Sequence, residues 1–243
     1  MAQNKKMAIS TNPLAWLRSV QPRRAIALLL LLLPLTVGAQ TVRDLWLSMP
    51  PSFAPYLSTS LRTQCLDFYD MHTDAQTDNA LKGKSRIDTL TSTFLAATLS
   101  KAHTLQMKLL PASGSGLGSA LGSGSGSSSS LSSCDSVLCV VRSWDGPKRD
   151  SEVQLFDRQW KPLQAPFTFS ADSFVCRPDT MSEERFSRLV ALLDPIMFSV
   201  SLSPAENVLL VKLSPVVPNP DDEKAIEQIL VQRKLKWDGK TFK

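Results

Sequence analysis

The two histidines of the 243-residue chain, His72 and His103, are the first places to look for chemistry. His72 sits in YDMHTDAQTDN with Asp70, Asp74 and Asp78 close by, a spacing able to offer imidazole and carboxylate ligands to a divalent cation. The glycine that bends a calcium loop is absent and no bidentate glutamate follows at the right distance, so the stretch reads as the solvated end of a helix. His103, in SKAHTL, reads as an exposed turn residue. A nucleophilic hydrolase needs a base beside its serine or cysteine and a third group to orient that base. Neither histidine lies in such a motif, and many of the serines crowd into one low-complexity stretch. Paired carboxylates for sugar hydrolysis can be drawn from any chain with 22 acidic residues, so their presence decides nothing. No catalytic residue, cofactor site or metal site is assigned.

The tryptophans offer a different chemistry, that of an aromatic binding face. The tripeptide W-D-G occurs at Trp144–Gly146 and again at Trp237–Gly239. In both places an apolar or alternating run leads into Asp-Gly, whose second residue readily takes the positive φ of a tight turn. Trp144, Trp160 and Trp237, with Phe156, are candidates for a recognition face on an antiparallel sheet. The alternation in KLKW and SEVQLF favours one covered and one wet face, with the large side chains on the covered one. Trp160, closing the apolar run VQLFDRQW, is expected to be scaffold, whereas Trp144 at the lip of a turn is expected to be half exposed.

The elements that must position these residues show an internal repeat. FLAATLSKAHTLQMKLLP (94–111) and MFSVSLSPAENVLLVKLSP (197–215) share L-S-x-A and then K-L-x-P, and each reads as two strands joined by a polar turn. A helical pattern precedes each. In the first, Phe53, Tyr56, Leu57 and Leu61 follow Ser52 as N-cap with Pro55 in the first turn; in the second, Thr180 and Glu183 form a capping-box pattern ahead of Phe186, Leu189, Val190 and Leu193. A last helix is signalled by Asn219, Pro220 and the acidic run Asp221–Glu223. The fold class is therefore α+β: an antiparallel sheet with helices on one face, built from two loosely similar helix-strand-strand halves. The division is 1–39 as a signal peptide, 40–111 as the first helix-and-strand half, 112–134 as a flexible loop, 135–178 as a strand pair completing that half, and 179–243 as the second half. The loop, PASGSGLGSALGSGSGSSSSLSSC, lacks the third glycine of a dinucleotide fingerprint and the lysine of a P-loop, and is too polar and small to order itself by burial.

The first 39 residues carry Lys5, Lys6, Arg18, Arg23 and Arg24 ahead of an uncharged run ending at Ala39, the pattern of a secretory signal. Its apolar core, Ala25–Val37, is shorter than the roughly 20 residues of a membrane-spanning helix. Cleavage is expected between Ala39 and Gln40, and no cysteine follows the cut to take a lipid. Removing five of the 27 basic residues leaves 22 against 22 acidic ones, so the net charge of +5 belongs to the signal. A neutral mature chain offers no case for nucleic acid. Cys65, Cys134, Cys139 and Cys176 allow three complete disulfide pairings, but the count is too low for a disulfide-built scaffold; buried thiols are expected, with Cys139 in the core run SVLCVV.

The segments TVRDLWLSMPPSFAPYL, LDFYDM, DTLTSTFLAATLSKAHTLQMKLLP, CVVRSWDGPKRDSEVQLFDRQWKPL and KLKWDGKTFK together resemble a family of small exported Bacteroidales proteins designated domain of unknown function 3256. The resemblance covers nearly all of residues 40–243 and departs from the family in the length of the Ser/Gly stretch. It implies an envelope or extracellular address and carries over no activity and no site residues. Together with the residues, it points to an exported, non-catalytic binding or envelope-structural protein in the periplasm or outside the cell, whose partner is an envelope protein or glycan. The alternative is a hydrolase or metal-assisted enzyme acting on an envelope polymer.

Overall fold

A meander of strands forms the main layer of the protein in a computed structural model that describes residues 40–112, 136–164 and 168–243. The expected signal peptide (1–39) and nearly all of the Ser/Gly loop, with Cys134, lie outside the described residues. The strands are β1 (Thr77–Asp78), β2 (Lys84–Leu90), β3 (Phe94–Ser100), β4 (His103–Pro111), β5 (Ser136–Asp145), β6 (Arg149–Phe156) and β7 (Pro162–Leu163). They pair in sequence order as a seven-stranded sheet, each antiparallel to the next. A second, three-stranded sheet is made by β8 (Phe198–Leu202), β9 (Val208–Leu213) and β10 (Arg233–Lys236), with β9 in the middle. Both copies of the repeat are hairpins, β3–β4 and β8–β9, turning at their L-S-x-A sequences.

Strand β5 explains why one stretch of the chain is apolar without alternation. Successive side chains of a strand point to opposite faces, and both faces of β5 are covered. Leu138 and Val140 face a core shared with the helices α1 (Val42–Ser48) and α2 (Thr59–Asp70), among them Leu45, Trp46, Cys65 and Leu66. Val137, Cys139 and Val141 face the other way, into a core with Val200, Leu202, Leu209 and Val211 of the second sheet. The helices α3 (Glu183–Ala191) and α4 (Pro220–Glu227) join this second core through Leu189 and Ile226. The fold is thus α+β, built from two helix-strand-strand halves, each with its helices on one face of its own sheet. Residues 40–243 pack as one compact unit.

Local sequence accounts for most helix starts. Thr41 and Asp44 form a capping box on α1, and Asn219 caps α4 ahead of Pro220 with Asp221, Asp222 and Glu223 in the first turn. Two starts fall later than the sequence pattern places them. After a 3-10 turn at Pro51–Phe53 the chain breaks at Ala54, whose extended φ of −149° is what a residue before proline prefers, and Ser58 rather than Ser52 caps α2. Likewise Ser182 rather than Thr180 caps α3, because the chain first turns at Pro178–Met181 to bury Met181. Among the thiols, Cys65 and Cys139 are buried and unbridged and Cys176 is exposed and unbridged; burial pushes the pKa of Cys65 up, and that of Cys139 far up.

Lys108 is buried in β4, and its Nζ donates to the carbonyl oxygens of Ser203 (2.7 Å), Pro204 (3.1 Å) and Glu206 (2.8 Å) in the β8–β9 turn. The repeat-equivalent Lys212 is exposed. Replacing Lys108 with Met strands carbonyls that have little water, so a loss of about 2 to 4 kcal/mol is expected in urea unfolding of residues 40–243. Lys212→Met is expected to stay within about 0.5 kcal/mol of the parent. Equal effects of the two changes would contradict this role for Lys108.

Candidate functional site

The register of β4, β5 and β6 lines up the side chains of the helix-covered face. His103 stands opposite Trp144, and Arg142 stands opposite Glu152. The His103 and Trp144 rings stack with centroids 5.3 Å apart and planes 8° from parallel. The Arg142 guanidinium lies over the Trp144 ring at 5.4 Å and over the Phe53 ring at 4.9 Å, while its Nη2 donates to Glu152 at 2.6 Å. Phe53, from the 3-10 turn, packs against Phe156 at 5.3 Å and Trp160 at 5.1 Å. The result is a continuous aromatic and cationic ladder running Trp160, Phe53, Arg142, Trp144, His103, Tyr56. Such stacks gain from dispersion and from the attraction of a cation to the ring face.

The Tyr56 hydroxyl, from the segment before α2, closes the ladder 2.5 Å from His103 Nδ1. Burial, followed by the positive charge of Arg142, holds the His103 pKa below its ordinary value, and burial holds that of Tyr56 above. Both shifts favour the neutral forms, so an uncharged phenol and an uncharged imidazole share this hydrogen bond. Nε2 of His103 is buried without a partner, as is Nε of Arg142. The site thus presents an aromatic surface with unpartnered polar nitrogens behind it.

The three tryptophans named from sequence are not on one face. Trp144 is 40% exposed and Trp160 only 7%, and they sit in the ladder on the helix side of the main sheet. Trp237 is 8% exposed in the core between the sheets, packed at a tilt against Phe242 at 5.0 Å with its Nε1 donating to the Pro111 carbonyl at 2.7 Å. It serves as scaffold between the halves. The two W-D-G corners also differ in backbone. Gly239 has φ 99° in the turn after Trp237, whereas Gly146, between β5 and β6, does not use a positive φ. His103 was expected in an exposed turn but is the first residue of β4 and 8% exposed, because Tyr56 and Trp144 cover it.

The aspartates around His72 do not converge on it. Asp70 is paired with Arg43 of α1, and Asp78 with Lys84 at 2.5 Å. His72, Asp74 and Asp88 line an open cavity of about 390 Å³ beside the end of α2, with Arg86 among them. No group of three or more metal-ligating side chains is found among the described residues.

The family model described as protein of unknown function (DUF3256) matches residues 34–117 and 129–242. The chain belongs to this family. The break in the match of this DUF3256 protein falls inside the Ser/Gly stretch. A solved structure described as a domain of an uncharacterized protein from Porphyromonas gingivalis W83 is similar at 22% identity with a TM-score of 0.61, covering 83% of this chain and 98% of the other. The similarity supports the α+β fold. No curated protein matches the chain.

Two outcomes follow from the ladder. Trp160→Ala is expected to cost about 3 to 5 kcal/mol and Trp144→Ala less than about 1 kcal/mol, read as thermal melts shifted by roughly 2 to 4 °C per kcal/mol. The second concerns pH. With the folded pKa of His103 below its unfolded value, the unfolded chain binds the proton first, so the contribution of His103 is complete above about pH 7 and declines as pH falls through about 6.5. The melting temperature is expected to drop between about pH 7 and 5, before the carboxylates titrate, and His103→Gln is expected to flatten that part of the profile.

Proposed function

We propose that this protein is exported and acts as a non-catalytic binding protein of the cell envelope, with a glycan as its ligand. The observation that carries the reading is Trp144: a large aromatic residue left 40% exposed although its ring is pinned by His103 and Arg142. A rigid, exposed indole matches the apolar C–H face of a sugar ring, and its fixed position lowers the ordering cost of binding. The polar groups around it, Arg142 and Glu152, suit the sugar hydroxyls. Export is supported by the basic and apolar start of the chain.

The test is co-sedimentation of residues 40–243 with insoluble peptidoglycan and with purified surface polysaccharide, followed by tryptophan fluorescence titration with soluble fragments. Trp144→Ala is expected to weaken binding by about tenfold or more while the melt stays parental. Retained binding by this variant would remove Trp144 from the site, and release of shortened glycan would favour the hydrolase reading.

A further inference from the structure

A second feature of ligand size lies on the opposite face of the same sheet. Along β2, Ser85 and Ile87 are buried on the helix side, so Lys84 and Arg86 point the other way, with Arg86 in register with Thr98 of β3. The second sheet lies with β8 over β4, β5 and β6, and this part of β2 and β3 is beyond it. Here Lys84, Arg86, Thr98 and Ser100 line an open cavity of about 300 Å³, joined by Lys82 from the β1–β2 turn and Lys101 from the β3–β4 turn. Two carboxylates share the neighbourhood: Asp78 pairs with Lys84 at 2.5 Å and Asp88 with Arg86 at 2.6 Å. Lys82 and Lys101 are exposed and have no ion pair among the described residues.

The local balance is therefore a surplus of two positive charges in a chain whose residues 40–243 are formally neutral. Gathering like charges around one space raises the local potential and draws an anion to it. We infer that this cavity binds a phosphomonoester group. Its charge, close to two negative units at neutral pH, matches the two unpaired ammonium groups. Its three strong acceptor oxygens can also take hydrogen bonds from Lys84, Arg86 and the Ser100 hydroxyl. A carboxylate, with one charge, would leave one lysine uncompensated. The cavity volume suits a small polar group such as a sugar phosphate. Lysines near a sheet edge also discourage edge-to-edge pairing, a role that requires no ligand.

Isothermal titration of residues 40–243 with glucose 6-phosphate, and with glucose as control, separates these roles. Saturable binding of the phosphate ester but not of glucose, weaker at higher ionic strength, is expected. Lys82→Gln/Lys101→Gln is expected to weaken it by about tenfold or more with an unchanged melt, since both side chains are exposed. Trp144→Ala should bind the ester as the parent does, because Trp144 lies on the other face, so the result is independent of the glycan reading. A second arm uses phosphatidylcholine vesicles with and without phosphatidic acid. Lysine-dependent binding to the phosphatidic acid vesicles, without binding of the sugar phosphate, supports the cavity and assigns the phosphate to a lipid headgroup. Binding of neither probe, or a double variant that binds like the parent, overturns the inference.

Discussion

Two groups near the end of strand β4, the Nζ of Lys108 and the carbonyl of Pro111, hold the second half of the protein against the first. Taking an ammonium group out of water is costly, and here three carbonyl oxygens of the β8–β9 turn replace its water. Because those oxygens converge only when the turn sits over β4, the same interaction sets the position of the second hairpin. The Pro111 carbonyl accepts from the Trp237 indole and ties the C-terminal strand to the same place. With both contacts made, β8 and β9 cover the face of β5 that the N-terminal helices leave open. β5 then becomes a strand buried on both sides along most of its length.

That central burial is what makes the exposed end of β5 a candidate site. Leu138 and Val140 are locked in the helix-side core, so Arg142 and Trp144, one and two steps further along the same face, project from a rigid base. The helix-side cover runs out at Phe53 and Tyr56, which touch Arg142 and His103 but leave Trp144 partly open. Burial thus decreases along the ladder from Trp160 to Trp144, and the change from scaffold to surface is made through Phe53 and Arg142.

The two halves use the same short sequences differently. In the first K-L-x-P the lysine is a buried clip and in the second, Lys212, it is exposed. The first W-D-G leaves its tryptophan at the surface and the second buries it between sheets. A repeated strand pattern fixes the hairpin, because alternation and turn chemistry act locally. It does not fix which copy meets a neighbour on its second face.

The chain by itself determined the α+β class, the paired hairpins, the Asn219-capped helix and the core placement of Cys139 in SVLCVV, since each rests on apolar pattern, capping or turn preference within a few residues. The T-x-x-D start of α1 was equally legible, although its short length hid it. Tertiary structure decided what surrounds each side chain. His103 looked like a turn residue and became buried because Tyr56, 47 positions away, lies across it. Asp70 and Asp78 lie near His72 in sequence, but their ion pairs are with Arg43 and Lys84. Trp144 and Trp237 are each followed by Asp-Gly, yet only the packing of one sheet on the other buries Trp237 and leaves Trp144 open. Exposure and partner choice depend on contacts between segments far apart in the chain, and no local pattern encodes those distances.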